Sequence, residues 1–402
     1  MTLRELLVTN QHEMLRDARR MLCYAVHKSM KLCRDENNPL EPDIVASLSR
    51  FGIPRLAKSW GKHFIAAGID YAMASVFVHQ SPIISFPDMP NKHCEIGDIL
   101  IAHIHHPLEG ECIRNALLLQ AKISASEKVL RFTDSQDVLQ YTVYHAWPKF
   151  KYRDKGVMNC DDTLQVTPSK PHRGAQYLLI SRDYLDEMKQ VFDHLDATND
   201  EFCHSDIWYH PWFPCPFQVS LANQPLYPHS NFENELLGLL VGSTGRSFGS
   251  RALLEYTHNW SRVIWDLLKI TANRKFKQSK ISQYPKRENR GGVSGDGSLF
   301  ENVIENNYQS NWSQQSSEQP VERISLISTH NYCPNEISSI LSPVWDELYV
   351  DQTEAADIGS REANTGNLPP NDGNFPRESD DWNGEGISLV LIETSDRGSA
   401  KR

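Results

Sequence analysis

The sequence lacks paired cysteines. Its eight Cys stand singly at positions 23, 33, 94, 112, 160, 203, 215 and 333, and none forms a Cys-x-x-Cys pair. That spacing argues against a disulfide framework and for reduced thiols. Long apolar runs are also missing. The longest, Phe64 to Val78, is broken by Asp70 and falls short of the ~20 residues a membrane helix needs. The opening Met-Thr-Leu-Arg-Glu-Leu-Leu has no basic stretch ahead of an apolar core, so no secretory signal is expected. There is no internal repeat. Positive charge is in deficit, with a formal net charge of −10. This argues against non-specific coating of a polyanion, but it leaves room for a carboxylate metal site beside a local basic groove. The expectation is a soluble, cytoplasmic protein with no membrane partner.

What is present suffices for a core. Hydrophobic residues make up 40% and charged residues 23%, and the apolar shortage lies in a C-terminal third rich in Ser, Asn, Gly, Asp and Glu. Helical spacing over residues 2–34 predicts helix, with breaks at Asn38-Pro39 and Glu41-Pro42. Asp43 is placed to cap a short helix through Ser49, which Gly52-Ile53-Pro54 should end. Arg55 to Val78 reads as one long amphipathic helix, softened at Gly68. Strands are predicted at Pro82–Phe86, Ile96–His105, Ala116–Ile123 and Gly174–Ser181, with turns at Pro87–Pro90 and Pro107–Gly110. Helices are predicted at Ser135–Trp147, Tyr184–His194, Phe232–Val241 and Ala252–Ile270, and a structured loop at 203–230.

The chain so read is α/β. It divides into a helical region (1–54), an α/β domain (55–272), a polar and disordered linker (273–320), a short helical element (321–350), an acidic disordered segment (351–385) and a late strand with tail (386–402). That strand, Ile387 to Ile392, is expected to return to the main sheet.

Two apolar strands carry polar residues that a core has little reason to hold. Asp98 lies on one; Gln120 and Lys122 lie on the next. Ionised groups are costly in a core unless paired or metal-bound. Residues i and i+2 of a strand share a face, so Gln120 and Lys122 point together, toward Asp98 if the strands pair. Phosphodiester hydrolysis uses such a set: oxygens that hold Mg²⁺ and a lysine that positions water or stabilises developing charge. Asp98, the Gln120 amide oxygen and the Ala121 carbonyl are candidate ligands, Glu95 is a further ligand or supporting group, and Lys122 is the catalytic cation. The alternative is architectural, with Asp98 capping a turn, Gln120 satisfied in the core and Lys122 reaching out to solvent.

Asp98…Gln120-Ala121-Lys122 resembles the restriction-endonuclease-like PD-(D/E)xK superfamily. More narrowly it is similar to the Q-x-K variant of methylation-dependent restriction nucleases and anti-phage effectors. The resemblance covers about residues 55–181. It implies a core of helix, three strands, helix and strand, an Mg²⁺ (or Mn²⁺) cofactor, a DNA substrate, a bacterial defence role and a protein partner encoded nearby. Gln140-x-x-x-Tyr144 shares one helix face and resembles the pair that lines the site in the exonuclease-type branch. The chain departs from the family at Gly97, where Pro is usual, and at Gln120, where a second carboxylate is usual. It also lacks a glutamate within the 55–78 helix, which leaves the metal stoichiometry open. A catalytically inactive protein of the same fold, binding nucleic acid or regulating a partner, is the second reading.

Weaker signals complete the reading. Cys203, His204, His210 and Cys215 only approximate zinc-ligand spacing and suit packing among Trp and Pro. His103, His105 and His106 read as solvated strand-end histidines. Gly242 to Gly249 lacks the Gly-Lys-Ser/Thr of a phosphate loop and reads as a tight turn, with Arg246 available for nucleic acid. The basic run from Lys269 to Arg287 is a candidate phosphate contact or a solvated linker.

Overall fold

The computed structural model describes residues 1–32, 39–78, 82–124, 132, 134–153, 162–194, 216–223, 225–250, 259–272, 291–294, 327–328 and 387–396. The short helical element expected within 321–350 (apart from 327–328), the segment 351–385, most of 273–320 and the Cys203, His204, His210, Cys215 set lie outside them.

The N-terminal region is helical. Helix α1 (Leu3–Thr9) opens on a capping box in which Thr2 and Glu5 satisfy each other's backbone N–H groups. Helix α2 (Gln11–Leu32) follows directly. Helix α3 (Glu41–Ser47) is capped differently from expectation. Leu40 is the N-cap, and Asp43, inside the first turn, accepts from the Leu40 N–H at 2.9 Å. Nor does Gly52 end the helix. A π-helical turn (Leu48–Gly52) carries the chain straight into α4 (Ile53–Ala67). A Cβ at Gly52 would lie 2.9 Å from the Met21 sulfur, so glycine there permits close packing on α2. Pro54 sits in the first turn of α4.

The predicted long helix to Val78 is two elements. Gly68 takes a left-handed conformation (φ 70°), the usual helix stop, and β1 (Ile69–Val78) begins at once. Its aromatic Tyr71 stacks on Phe64 of α4 at 4.4 Å. Strands β2 (Ile83–Phe86) and β3 (Met89–Glu95) come next, then β4 (Ile99–His106) and β5 (Ile113–Ser124). Helix α5 (Ser135–Ala146), capped by Asp134, leads to β6 (Lys151–Tyr152), β7 (Ala175–Ser181) and α6 (Arg182–His194). The remainder is β8 (Phe217–Ser220), β9 (Ser230–Asn231), α7 (Phe232–Val241), β10 (Arg246–Ser247), α8 (Asn259–Ala272), β11 (Gly291–Ser294), β12 (Ile327–Ser328) and β13 (Ser388–Asp396). The short strand β11 falls within the stretch expected to be disordered linker.

The main sheet runs β11-β1-β13-β4-β5-β7-β8-β9, with β10 on β5 and β12 on β1. The late strand returns, as expected, and takes a central place. It is antiparallel to β1 and parallel to β4. The strand at 83–86 is not a neighbour of the Asp98 strand in this sheet. It forms a separate sheet in the order β3-β2-β6. Alternation divides the main sheet's side chains. Ile99, Ile101, Leu117 and Leu119 pack under α1–α4, α6 and α7; Leu100, Ala102, Ile104 and Leu118 pack under α5, α8 and the small sheet. The architecture is mixed α/β. Among the described residues no helix is long and apolar enough to cross a membrane.

His103 and His105 are buried rather than solvated, because β13 lies beside them. Both rings hydrogen-bond the Thr394 hydroxyl at 2.9 Å, while His106 stays part-exposed on Glu393 at 3.0 Å. The 242–249 stretch is the expected turn, with Gly242 and Gly245 at positive φ (75° and 72°). Arg246 donates to the Thr167 carbonyl and lies over the Trp260 ring.

Candidate active site

The site forms where two strands end unequally. The β4–β5 ladder closes at Ile99 opposite Leu119, with one more bond from the Asp98 N–H to the Leu119 carbonyl at 2.8 Å. Strand β5 runs on to Ser124, held on its other side by β7. Its backbone groups facing β4 are thereby left for side chains. Asp98 Oδ2 accepts from the Ala121 N–H at 2.7 Å and also from Gln120 Nε2. Glu41, at the start of α3, accepts from the Ile123 N–H at 2.8 Å. Because N–H and C=O of a strand residue point the same way, the Ala121 carbonyl is directed toward Asp98 as well.

Gln120 and Lys122 alternate with Leu119 and Ala121, so they face α5. Lys122 Nζ meets Asp137 Oδ1, in the first turn of α5, at 2.7 Å. The Glu95 carboxyl lies against that of Asp98. Asp98, Glu95, Gln120 and Lys122 therefore lie together, and Glu41 and Asp137 join them.

Charge in this cluster is unbalanced. Burial, and then the Glu95 carboxylate, push Asp98 well above the usual carboxylate range. Burial raises Glu95 and Glu41 too, against the attraction of Lys122. Burial disfavours the Lys122 ammonium, but Glu41, Asp137 and Asp98 outweigh it and hold its pKa above the ordinary value. Four carboxyl groups thus gather around Lys122, with Arg182 also acting on Glu41, a set rich in oxygen donors. Among the described residues no three His, Cys, Asp or Glu side chains form a metal cage by themselves. A metal here would draw on the Ala121 carbonyl and the Gln120 amide too. The Gln120 amide now turns its nitrogen, not its oxygen, to Asp98.

Gln140 and Tyr144 are buried on α5, on the side of this cluster. A Cβ on Gly97 would come within 2.7 Å of the Tyr144 hydroxyl and 2.9 Å of Leu118. That contact explains glycine before Asp98: a prolyl ring has no room unless Tyr144 moves. The Tyr144 hydroxyl and the Gln140 amide oxygen have no hydrogen-bond partner among the described residues. The same holds for the Tyr152 and Tyr177 hydroxyls and the Trp147 indole N–H.

Glu41 and Asp137 escaped the sequence reading. Asp137 was within reach of it, since residues 137, 140 and 144 share a helix face. Glu41 left no local signal, because it reaches the site only through the packing of α3 on the end of β5.

No protein-family model, no curated protein and no solved structure matches this chain.

Proposed function

We propose that the chain is a metal-dependent nuclease of the PD-(D/E)xK type that hydrolyses phosphodiester bonds in DNA. The observation that carries this reading is the meeting of Asp98, the Ala121 backbone and Lys122, with Glu41 and Glu95, at the open edge of β5. The Asp98 carboxylate and the Ala121 carbonyl would hold Mg²⁺ or Mn²⁺, with Glu95, Glu41 or a reoriented Gln120 completing the set. When bound, the metal supplies Lewis acidity to the phosphate and lowers the pKa of a coordinated water. Lys122 presents its ammonium to the charge that develops on phosphorus oxygens. Tyr144 and Gln140 offer a hydroxyl and an amide to orient water or phosphate. The restriction or anti-phage role rests on the family resemblance alone.

The test is cleavage of plasmid and oligonucleotide DNA with and without Mg²⁺. Metal-dependent cleavage by the wild type, lost in folded Lys122→Ala protein, is expected. Equal cleavage by that variant overturns the assignment.

A second reading has its own observation. Gln120 is satisfied by Asp98 and Lys122 by Asp137, so the polar groups can close on each other without substrate. On that reading the chain binds nucleic acid or regulates a partner and cuts nothing. Binding without cleavage in either metal distinguishes it.

A further inference from the structure

Beside the acidic cluster lies a face of opposite sign. Lys149, Lys151 and Arg153 alternate with Phe150 and Tyr152, which are buried while the three cations reach the surface. A period of two places them on one side of the chain, about 6–7 Å apart along it. The row broadens across the small sheet. Ser85 pairs with Lys151 on one flank and with His93 on the other, and opposed residues point the same way.

Position ties this face to the site. Arg153 donates its N–H to the Ile83 carbonyl at 3.0 Å, and Ile83 pairs with Glu95, so the Arg153 end of the row adjoins the carboxylates. At the next rung Gln136 Nε2 of α5 donates to the His93 carbonyl at 3.0 Å, one residue from the Asp137 that holds Lys122. Among the described residues Lys149, Lys151 and Arg153 have no carboxylate partner. In a chain of net charge −10, a run of surface cations leading into an acidic centre is a specific arrangement.

We infer that the outer face of the β3-β2-β6 sheet is where the sugar–phosphate backbone of a nucleic acid lies on its way into the Asp98 site, an inference that rests on the nuclease reading for its direction. Cations at strand spacing step along the chain much as successive phosphates do along an extended backbone. Such contacts hold a strand without reading its bases.

The experiment uses the full chain carrying Asp98→Asn, so that no strand is cut, with Lys149→Ala, Lys151→Ala and Arg153→Ala added together. Binding of fluorescent duplex DNA, single-stranded DNA and RNA is read by anisotropy across a salt series. Unchanged circular dichroism shows that the surface changes leave the fold intact. For the polymer that binds, the three changes should weaken affinity about tenfold or more and flatten the log–log salt slope by about 2 to 3. Replacing all three by the other basic residue (Lys149→Arg, Lys151→Arg, Arg153→Lys) should restore both. Equal affinity and slope in the triple alanine protein overturn the inference, as does failure of all three polymers to bind. Cleavage by the wild type is measured separately. If it is present while binding ignores the three cations, the nuclease reading stands and this surface falls. If binding needs the cations but no metal brings cleavage, the surface stands and the nuclease reading falls.

Discussion

In Asp98→Asn one carboxylate oxygen becomes an amide nitrogen while size and shape are kept. Both hydrogen bonds that Asp98 accepts, from the Ala121 N–H and from Gln120, fall on the same oxygen, Oδ2. The amide oxygen of the substituted side chain can take that place, and its NH₂ then points at Glu95, whose carboxyl already shares a hydrogen bond with the Asp98 carboxyl. The wild-type carboxyl is pushed well above its usual range by burial and by Glu95, so the folded protein holds its proton more tightly than the unfolded chain does. Folding stability from this group is therefore full below the unfolded value of 3.8 and is lost as pH rises through the folded value. Asparagine never ionises and keeps the stability. The expected gain is about 1–2 kcal/mol at pH 8, the usual scale when a strained functional group is neutralised, or about 2–4 °C in Tm. It should shrink toward zero at pH 4. Thermal and urea melts in EDTA from pH 4 to 8 give the curve. The same protein should lose cleavage by about 100-fold or more, since its metal has lost a charged ligand. A variant less stable than wild type at pH 8, or a difference that ignores pH, would refute this account of the site.

Four further outcomes follow from the same geometry. Lys122→Met should lower the cleavage rate by about 100- to 1,000-fold with KM little changed, read by initial rates at saturating metal. Asp137→Asn should release Lys122 from its ion pair and change the cleavage rate about two- to fivefold upward, the scale of one part-exposed pair, with KM little changed; a lowered rate would show that Asp137 holds Lys122 in its working position. Tyr144→Phe removes a buried hydroxyl with no partner among the described residues, so melts should show it neutral or stabilised by up to about 1 kcal/mol, while the cleavage rate falls about tenfold. Burial, and then the neighbouring His105, hold His103 down at about 3. It is neutral when folded, so its stability is complete above 6.5 and is lost as pH falls from there toward the folded value, at about 1.4 kcal/mol per pH unit; His103→Gln should remove that much of the slope in denaturant titrations between pH 6 and 4.

The satisfied state of the site bears on both functional readings. Asp98, Gln120 and Lys122 already have partners within it, and what is left over is the excess of carboxyl groups over Lys122. Removing one partner leaves the other buried and uncompensated. On the nuclease reading, a metal would relieve the carboxylates and a phosphate would relieve Lys122.

Some of this was legible along the chain by itself. Period-two alternation in Leu-Leu-Leu-Gln-Ala-Lys puts Gln120 and Lys122 on one face whatever the fold, and period 3.6 does the same for Gln140 and Tyr144. The strands of 99–106, 113–124 and 175–181 were visible because apolar runs of that length need two covered faces. Other features depended on contacts that no local pattern encodes. Residues 69–78 are as apolar as a buried helix and follow a real one; the left-handed turn at Gly68 and the edge supplied by β13 make them a strand. His103 and His105 look like strand-end histidines until a strand from the far end of the sequence lies beside them and Thr394 bonds both rings. Glu41 sits beside a helix-breaking proline and becomes part of the site only because α3 packs where β5 outruns β4. Short-range periodicity fixes which residues share a face, since it depends only on backbone geometry. Which faces then meet depends on burial and pairing summed over the whole molecule, and that was decided by the tertiary structure.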